Sequence, residues 1–270
     1  RLNFQHTVIT RQFGGLLPRS VTFAPEDQIL DVGCGTGIWA LNLAATVPPT
    51  VTIHSTDISP ANFPLPSHPI PSNVHFSAPC PIFSLPQSWT KKFSVTHQRL
   101  FSACLTTTQW RAALAEHYRV LRPGGMVILT EIDGEPFKGR HAEACPAQAE
   151  ITKLLKGLYE KKDMIFDMQG VLPGLVEDSG FEILECEAKV FSAEGAVVGR
   201  RKGRLEDDTL ANTINTFETF WGVVERMGLV DEETYRGWLR EVKESWRGAE
   251  KTREGRGNTW VRICARKPVS

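Results

Sequence analysis

The chain has no excess of positive or negative charge: its 31 Lys and Arg are balanced by 31 Asp and Glu across 270 residues. No global field therefore draws it to nucleic acid or to an anionic membrane, and neither is expected as a partner. Long apolar runs are also missing, although 41% of the residues are hydrophobic. No stretch approaches the roughly 18 apolar residues of a membrane span. The six cysteines, Cys34, Cys80, Cys104, Cys145, Cys186 and Cys264, include no Cys-x-x-Cys pair, which argues against a zinc cluster or redox dithiol, so no metal is expected. The first residues lack the basic-then-apolar order of a secretory leader, and the missing Met suggests trimming. A cytoplasmic, alternatively nuclear, location is the expectation.

What is present reads as strands alternating with helices. Apolar spacing puts a first helix over residues 2–17, within an N-terminal segment 1–20, stopped by Gly14-Gly15 and Pro18. Short apolar runs at 29–32, 51–55, 74–76, 93–96 and 126–129 read as five strands, with a helix over 38–45 after the first. Prolines at 60, 64, 66, 69 and 71 replace a helix by a wrapped loop. A helix over 107–120 ends at the Arg122-Pro123-Gly124-Gly125 turn, and two more follow, from Pro146 and over 171–178. Strands at 182–187 and 259–265 flank two amphipathic helices in a segment spanning 195–255, a candidate substrate lid. The pattern predicts one α/β domain over 1–270 with a doubly wound sheet and a helical insert.

The chemistry concentrates at Asp31-Val32-Gly33-Cys34-Gly35-Thr36-Gly37. Its glycines allow a tight turn and close backbone approach to a ligand, and a helix follows with free N–H groups. The spacing is G-x-G-x-G without Gly-Lys-Ser/Thr, which argues against a P-loop or a dinucleotide pyrophosphate site. Asp57, 20 residues past Gly37, stands where doubly wound nucleotide binders place a ribose-binding carboxylate. His97-Gln98-Arg99, at the carboxyl end of the fourth strand, falls at the ligand crevice of such a sheet. His97 is the first candidate general base, Glu131 the second and His6 the third; each also reads as a packed or solvated residue without a catalytic part. Phe217, Phe220 and Trp221, with Trp238, form an aromatic face that either roofs an apolar substrate or packs a core. Arg200-Arg201-Lys202 with Arg204, and Lys251, Arg253 and Arg256, read as solvated basic runs.

The segment 29–45, Asp57 and Leu121-Arg-Pro-Gly-Gly together resemble the class I S-adenosylmethionine-dependent methyltransferases. Within them the chain is similar to the fungal LaeA-like group of secondary-metabolism methyltransferases, in Gly35-Thr36-Gly37-Ile38-Trp39-Ala40, Thr56-Asp57-Ile58-Ser59-Pro60, Gln5-His6 and Ala265-Arg266-Lys267-Pro268. That resemblance implies a Rossmann-like seven-stranded sheet with its last strand antiparallel. It also implies S-adenosylmethionine as cofactor and S-adenosylhomocysteine as product. Asp31 and Gly33, Cys34, Gly35, Thr36 and Gly37 would then face the methionine part, Asp57 the ribose, and Ile58 the adenine. Ala78 and Pro79 stand where the family carries an adenine-side acid, and Phe93-Ser94 lacks another expected carboxylate. His97 and Gln98 would border the cofactor; Arg99, Phe217, Phe220 and Trp221 would border the substrate. The expected activity is methylation of a small, largely apolar metabolite, at oxygen first and otherwise at nitrogen, carbon or sulfur, by a monomer or homodimer. A regulatory protein that keeps the fold, and a same-fold enzyme catalysing a non-methylating rearrangement, are the alternatives.

Overall fold

The computed structural model describes residues 1–134, 145–192, 202–247 and 257–269. Seven strands form one sheet: β1 (Gln28–Val32), β2 (Thr52–Thr56), β3 (Val74–Ser77), β4 (Phe93–Arg99), β5 (Leu121–Ile132), β6 (Glu182–Ser192) and β7 (Gly257–Arg266). Their order is β3-β2-β1-β4-β5-β7-β6, with β1 parallel to both β2 and β4, and β7 antiparallel to β5 and β6. The chain winds outward from β1 to β3 and returns beside β1 as β4, so a crevice opens where the winding reverses, past the carboxyl ends of β1 and β4. The central strands are buried on both faces, which is why they read as short apolar runs rather than alternating ones.

Helices α1 (Leu2–Phe13) and α2 (Ile38–Ala44) cover one face; α3 (Thr107–Val120) and α5 (Met168–Asp178) cover the other. Gly14, in the left-handed conformation at φ 74°, ends α1, and Thr106 and Gln109 close a reciprocal capping box at the start of α3. A separate apolar cluster joins α4 (Pro146–Lys161), α6 (Lys202–Arg226) and α7 (Glu232–Arg247), and the last two lie between β6 and β7.

Several boundaries differ from expectation. Helix α1 stops at Phe13 rather than residue 17, and α5 begins at Met168, three residues early and with Pro173 inside it. Strand β5 starts at Leu121 and takes in Arg122-Pro-Gly-Gly, read above as a turn before the strand, because Leu121 already pairs with Phe93. Arg200, Arg201, Lys251, Arg253 and Arg256, with both ends of the 195–255 segment, lie outside the described residues. Among the described residues, no helix is long and apolar enough to cross a membrane, and no group of three His, Cys, Asp or Glu is arranged to hold a metal ion.

Candidate active site

The crevice opens into a cavity of about 590 Å³ that runs from the glycine turn to the helical insert. Gly33, Cys34, Gly35 and Thr36 form one wall, Asp57 and Ile58 the next, and Cys80 to Phe83 a third. Arg99 to Leu105 close it past β4, and Ile132 to Gly134 past β5. The far end is roofed by Thr152, Leu155 and Tyr159 of α4 and by Thr216, Phe217, Thr219 and Phe220 of α6.

The glycine turn is built for close approach. Gly33 has φ 63°, and a Cβ on it would stand 2.2 Å from Cζ of Phe101, so only hydrogen fits between turn and ring. Helix α1 lies over the turn, where Thr36 Oγ1 donates to Asn3 Oδ1 at 2.6 Å. Asp57 is held from below: Oδ2 accepts from the Gly35 amide at 2.9 Å and Oδ1 from Ser59 at 3.1 Å. Each carboxylate oxygen has acceptor capacity left over, and Asp57 lines the cavity. Ile58 beside it is 70% exposed.

Arg99 is the cation of this wall. Burial pulls its pKa down to about 10 against the attraction of Asp31, and among the described residues its side chain makes no hydrogen bond or ion pair. A partly buried guanidinium that pairs with no described residue favours an anion placed beside it. The chamber around α4 and α6 is apolar and aromatic, broken by the hydroxyls of Thr152, Thr216, Thr219 and Tyr159 and by the carboxylate of Asp133.

The three candidate bases lie off the cavity walls. His97 is 2% exposed, its Nδ1 is 2.8 Å from Asp31 Oδ1, and its ring stacks on Trp39 at 3.8 Å and 2°. Burial lowers its pKa although Asp31 opposes this, so the neutral imidazole donating Nδ1–H to Asp31 fits. Asp31 is thus spent on His97 rather than exposed to a ligand. Gln98 points to the opposite face of the sheet, where Oε1 accepts from His117 at 2.9 Å. Glu131 is fully buried behind the wall, and His6, 3% exposed on the inner face of α1, is pushed down to about 4 by burial and by Arg99. Gly37 contacts Phe76, the Ala78-Pro79 pair is replaced at the wall by Cys80 to Phe83, and Trp221 turns from the cavity to pack on Tyr235 at 5.3 Å.

Gly33 to Thr36, Asp57, Ile58, Arg99, Phe217 and Phe220 do come together. Sequence reasoning missed Gln5, Phe101 to Cys104, Asp133, Tyr159 and Phe166 on the same walls. The spacing of Thr152, Leu155 and Tyr159 along one face of α4 was a signal for part of that set.

Arg99, whose side chain pairs with none of the described residues, the turn with no room for a Cβ and Asp57 suit a ligand that carries a carboxylate, a closely packed chain and hydroxyls, as S-adenosylmethionine does. Residues 29–125 match a family model described as a methyltransferase domain. The chain is 32% identical over 180 residues to the methyltransferase grgD of a Penicillium species, covering 62% of this chain but only 60% of that protein. It is 27% identical over 219 residues to the N-methyltransferase tcpN of Claviceps purpurea, covering 80% and 77%. It is 32% identical over 142 residues to the secondary metabolism regulator laeA of Monascus pilosus, covering 50% and 35%. Among solved structures, Haemonchus contortus phosphoethanolamine N-methyltransferase 2 with S-adenosyl-L-methionine superposes at TM-score 0.55 and 15% identity, over 96% of this chain and 52% of that one. The [4+2]-cyclase SpnF superposes at 0.55 and 17%, over 99% and 94%. Sheet order, glycine turn and matched span agree, and residues 29–125 form a methyltransferase domain.

Proposed function

We propose that the protein transfers a methyl group from S-adenosylmethionine to a heteroatom of a small, largely apolar metabolite. The observation that carries this reading is one continuous cavity, polar at the glycine turn and apolar beneath α6. Nitrogen is favoured over the oxygen expected above, because tcpN and other relatives are described as N-methyltransferases.

Bound in the crevice, the cofactor supplies a methyl group activated on a sulfonium. Arg99 would hold its carboxylate, the Gly33–Gly35 backbone its amino-acid chain, Asp57 its ribose hydroxyls and Ile58 its adenine. Phe101, Phe166, Phe217 and Phe220 exclude water and fit a flat or branched apolar acceptor, which Asp133 and the threonine and tyrosine hydroxyls orient. Alignment and desolvation carry the reaction, so the withdrawal of His97 and Glu131 from the walls is compatible with it.

The test is a thermal shift followed by methyl transfer. S-adenosylhomocysteine at about a hundred times its Kd adds roughly 2.7 kcal/mol, on the order of 5 to 10 °C for a chain of this size. Asp57→Ala should weaken binding about tenfold to a hundredfold, the worth of hydrogen bonds to a charged group. Mass spectrometry of apolar amines and phenols incubated with enzyme and cofactor then reads transfer. A folded protein that binds the cofactor yet methylates neither class would move the reading to the fold's regulators.

A further inference from the structure

Glu131 is a fully buried acid, and none of the roles assigned above uses it. It lies near the end of β5, where Oε1 accepts from the Phe101 amide at 3.0 Å and Oε2 from the Ser102 amide at 2.9 Å. Two successive amides converge on one carboxylate because Leu100 turns the chain in the left-handed region, at φ 67°, while its own amide donates to Thr130 at 3.1 Å. The first residues past β4 therefore hang from the end of β5. Their position matters to both ends of the cavity. The Phe101 ring stands over Gly33 with no room for a Cβ between them, and Ser102 lies beside Tyr159 of the acceptor chamber.

We infer that Glu131 is a positioning residue for methyl transfer: its ionised carboxylate gathers the Phe101 and Ser102 amides, sets the wall that cofactor and acceptor share, and links ligand binding to its own ionisation. The inference rests on the methyltransferase reading. A protonated carboxyl turns an O–H toward a site where amide N–H groups already point, so the neutral form loosens the clamp. Burial pushes the carboxyl up to about 8 against the pull of these amides, so at neutral pH the tight form needs a proton removed. The titratable groups that face it are Cys104 of the same loop and Tyr159 of α4. Burial raises both.

The experiment is titration calorimetry of the whole protein with S-adenosylhomocysteine from pH 6 to 9.5, in pairs of buffers of different ionisation enthalpy. Wild type should release about one proton on binding at pH 7, and its affinity should rise about tenfold per pH unit up to 8 and then level. Glu131→Gln, which leaves an amide N–H facing one of the two donors, should release no proton, bind with a pH-independent Kd, and lose kcat more than KM. Glu131→Asp should restore part of the pH dependence. Binding by wild type without proton release, or the same release from Glu131→Gln, overturns the inference. If Glu131→Gln does not fold, the wild-type proton count decides alone. A folded wild type that binds at no pH instead sinks the methyltransferase reading beneath it.

Discussion

His97→Ala separates a structural from a catalytic histidine. Both His97 and Asp31 have side chains only 3% exposed, so solvent screens their contact little. Removing the imidazole leaves the Asp31 carboxylate buried with neither oxygen hydrogen-bonded, since Oδ2 already has no partner. Breaking a buried pair on one side costs about 3 to 5 kcal/mol. The stack on Trp39 adds roughly 0.5 to 1.5 kcal/mol. At about 2 to 4 °C per kcal/mol, Tm should fall by roughly 7 to 26 °C. Asp31→Asn combined with His97→Ala removes the stranded charge and should recover part of that loss. Turnover per folded molecule, measured well below the melting range, should change little beside the 10²- to 10⁴-fold expected for loss of a general base. The reasoning is refuted by an unchanged Tm together with a hundredfold fall in kcat, which would bring His97 back to the reacting atoms.

Two further perturbations read the site and the core. Gly33→Ala combines a left-handed backbone, costing about 1 to 2 kcal/mol, with a methyl driven into the Phe101 ring; adding Phe101→Ala should return the packing part but not the backbone part, and equal melting temperatures for single and double variants would contradict the contact. His6 and His54, pushed down to about 4, and His117, pushed down to about 3, are all held neutral by burial. The unfolded chain binds their protons first, so stability should fall as pH drops below about 6.5, by about 1.4 kcal/mol per pH unit for each. Urea midpoints at pH 7, 6 and 5 measure this, and a flat response would show that these rings reach water.

The glycine turn and the helix over 107–120 were legible because each is a local device: positive φ at Gly33, Gly35 and Gly37, and a capping box with one apolar face. The role of His97 was not, because strand alternation gives a face but no depth. His97 and Arg99 share a face of β4, yet Trp39 covers the first and the cavity reaches only the second. Glu131 read as lying past the fifth strand, but β5 continues to Ile132 and pairs Glu131 with Val261 inside the sheet, where an acid must find donors. On α6, Phe217 and Phe220 lie three apart on the cavity face, whereas Trp221, one step round, meets α7. The 3.6-residue period shows which residues share a stripe, not which edge of it meets ligand.

Helix α1 borders the cofactor end of the cavity and pairs with the helix that roofs its far end, which predicts communication between the two. At its start, Leu2 and Gln5 line the cofactor end and Asn3 holds Thr36. At its far end, Arg11 pairs with Asp208 at 3.1 Å, within α6, the helix that carries Phe217 and Phe220. A ligand that fixes Thr36 fixes α1, and a rigid helix of 12 residues passes that order to α6. Amide hydrogen exchange should therefore slow in both α1 and α6 when S-adenosylhomocysteine binds, although only α1 borders the glycine turn. The Arg11–Asp208 pair is half exposed on the arginine side and worth at most about 1 kcal/mol of stability. Arg11→Ala should thus leave Tm nearly unchanged while reducing the protection passed to α6. Slowed exchange in α1 with none in α6 would mean that the cofactor end and the roof respond separately, and that acceptor binding does not depend on the cofactor through this helix.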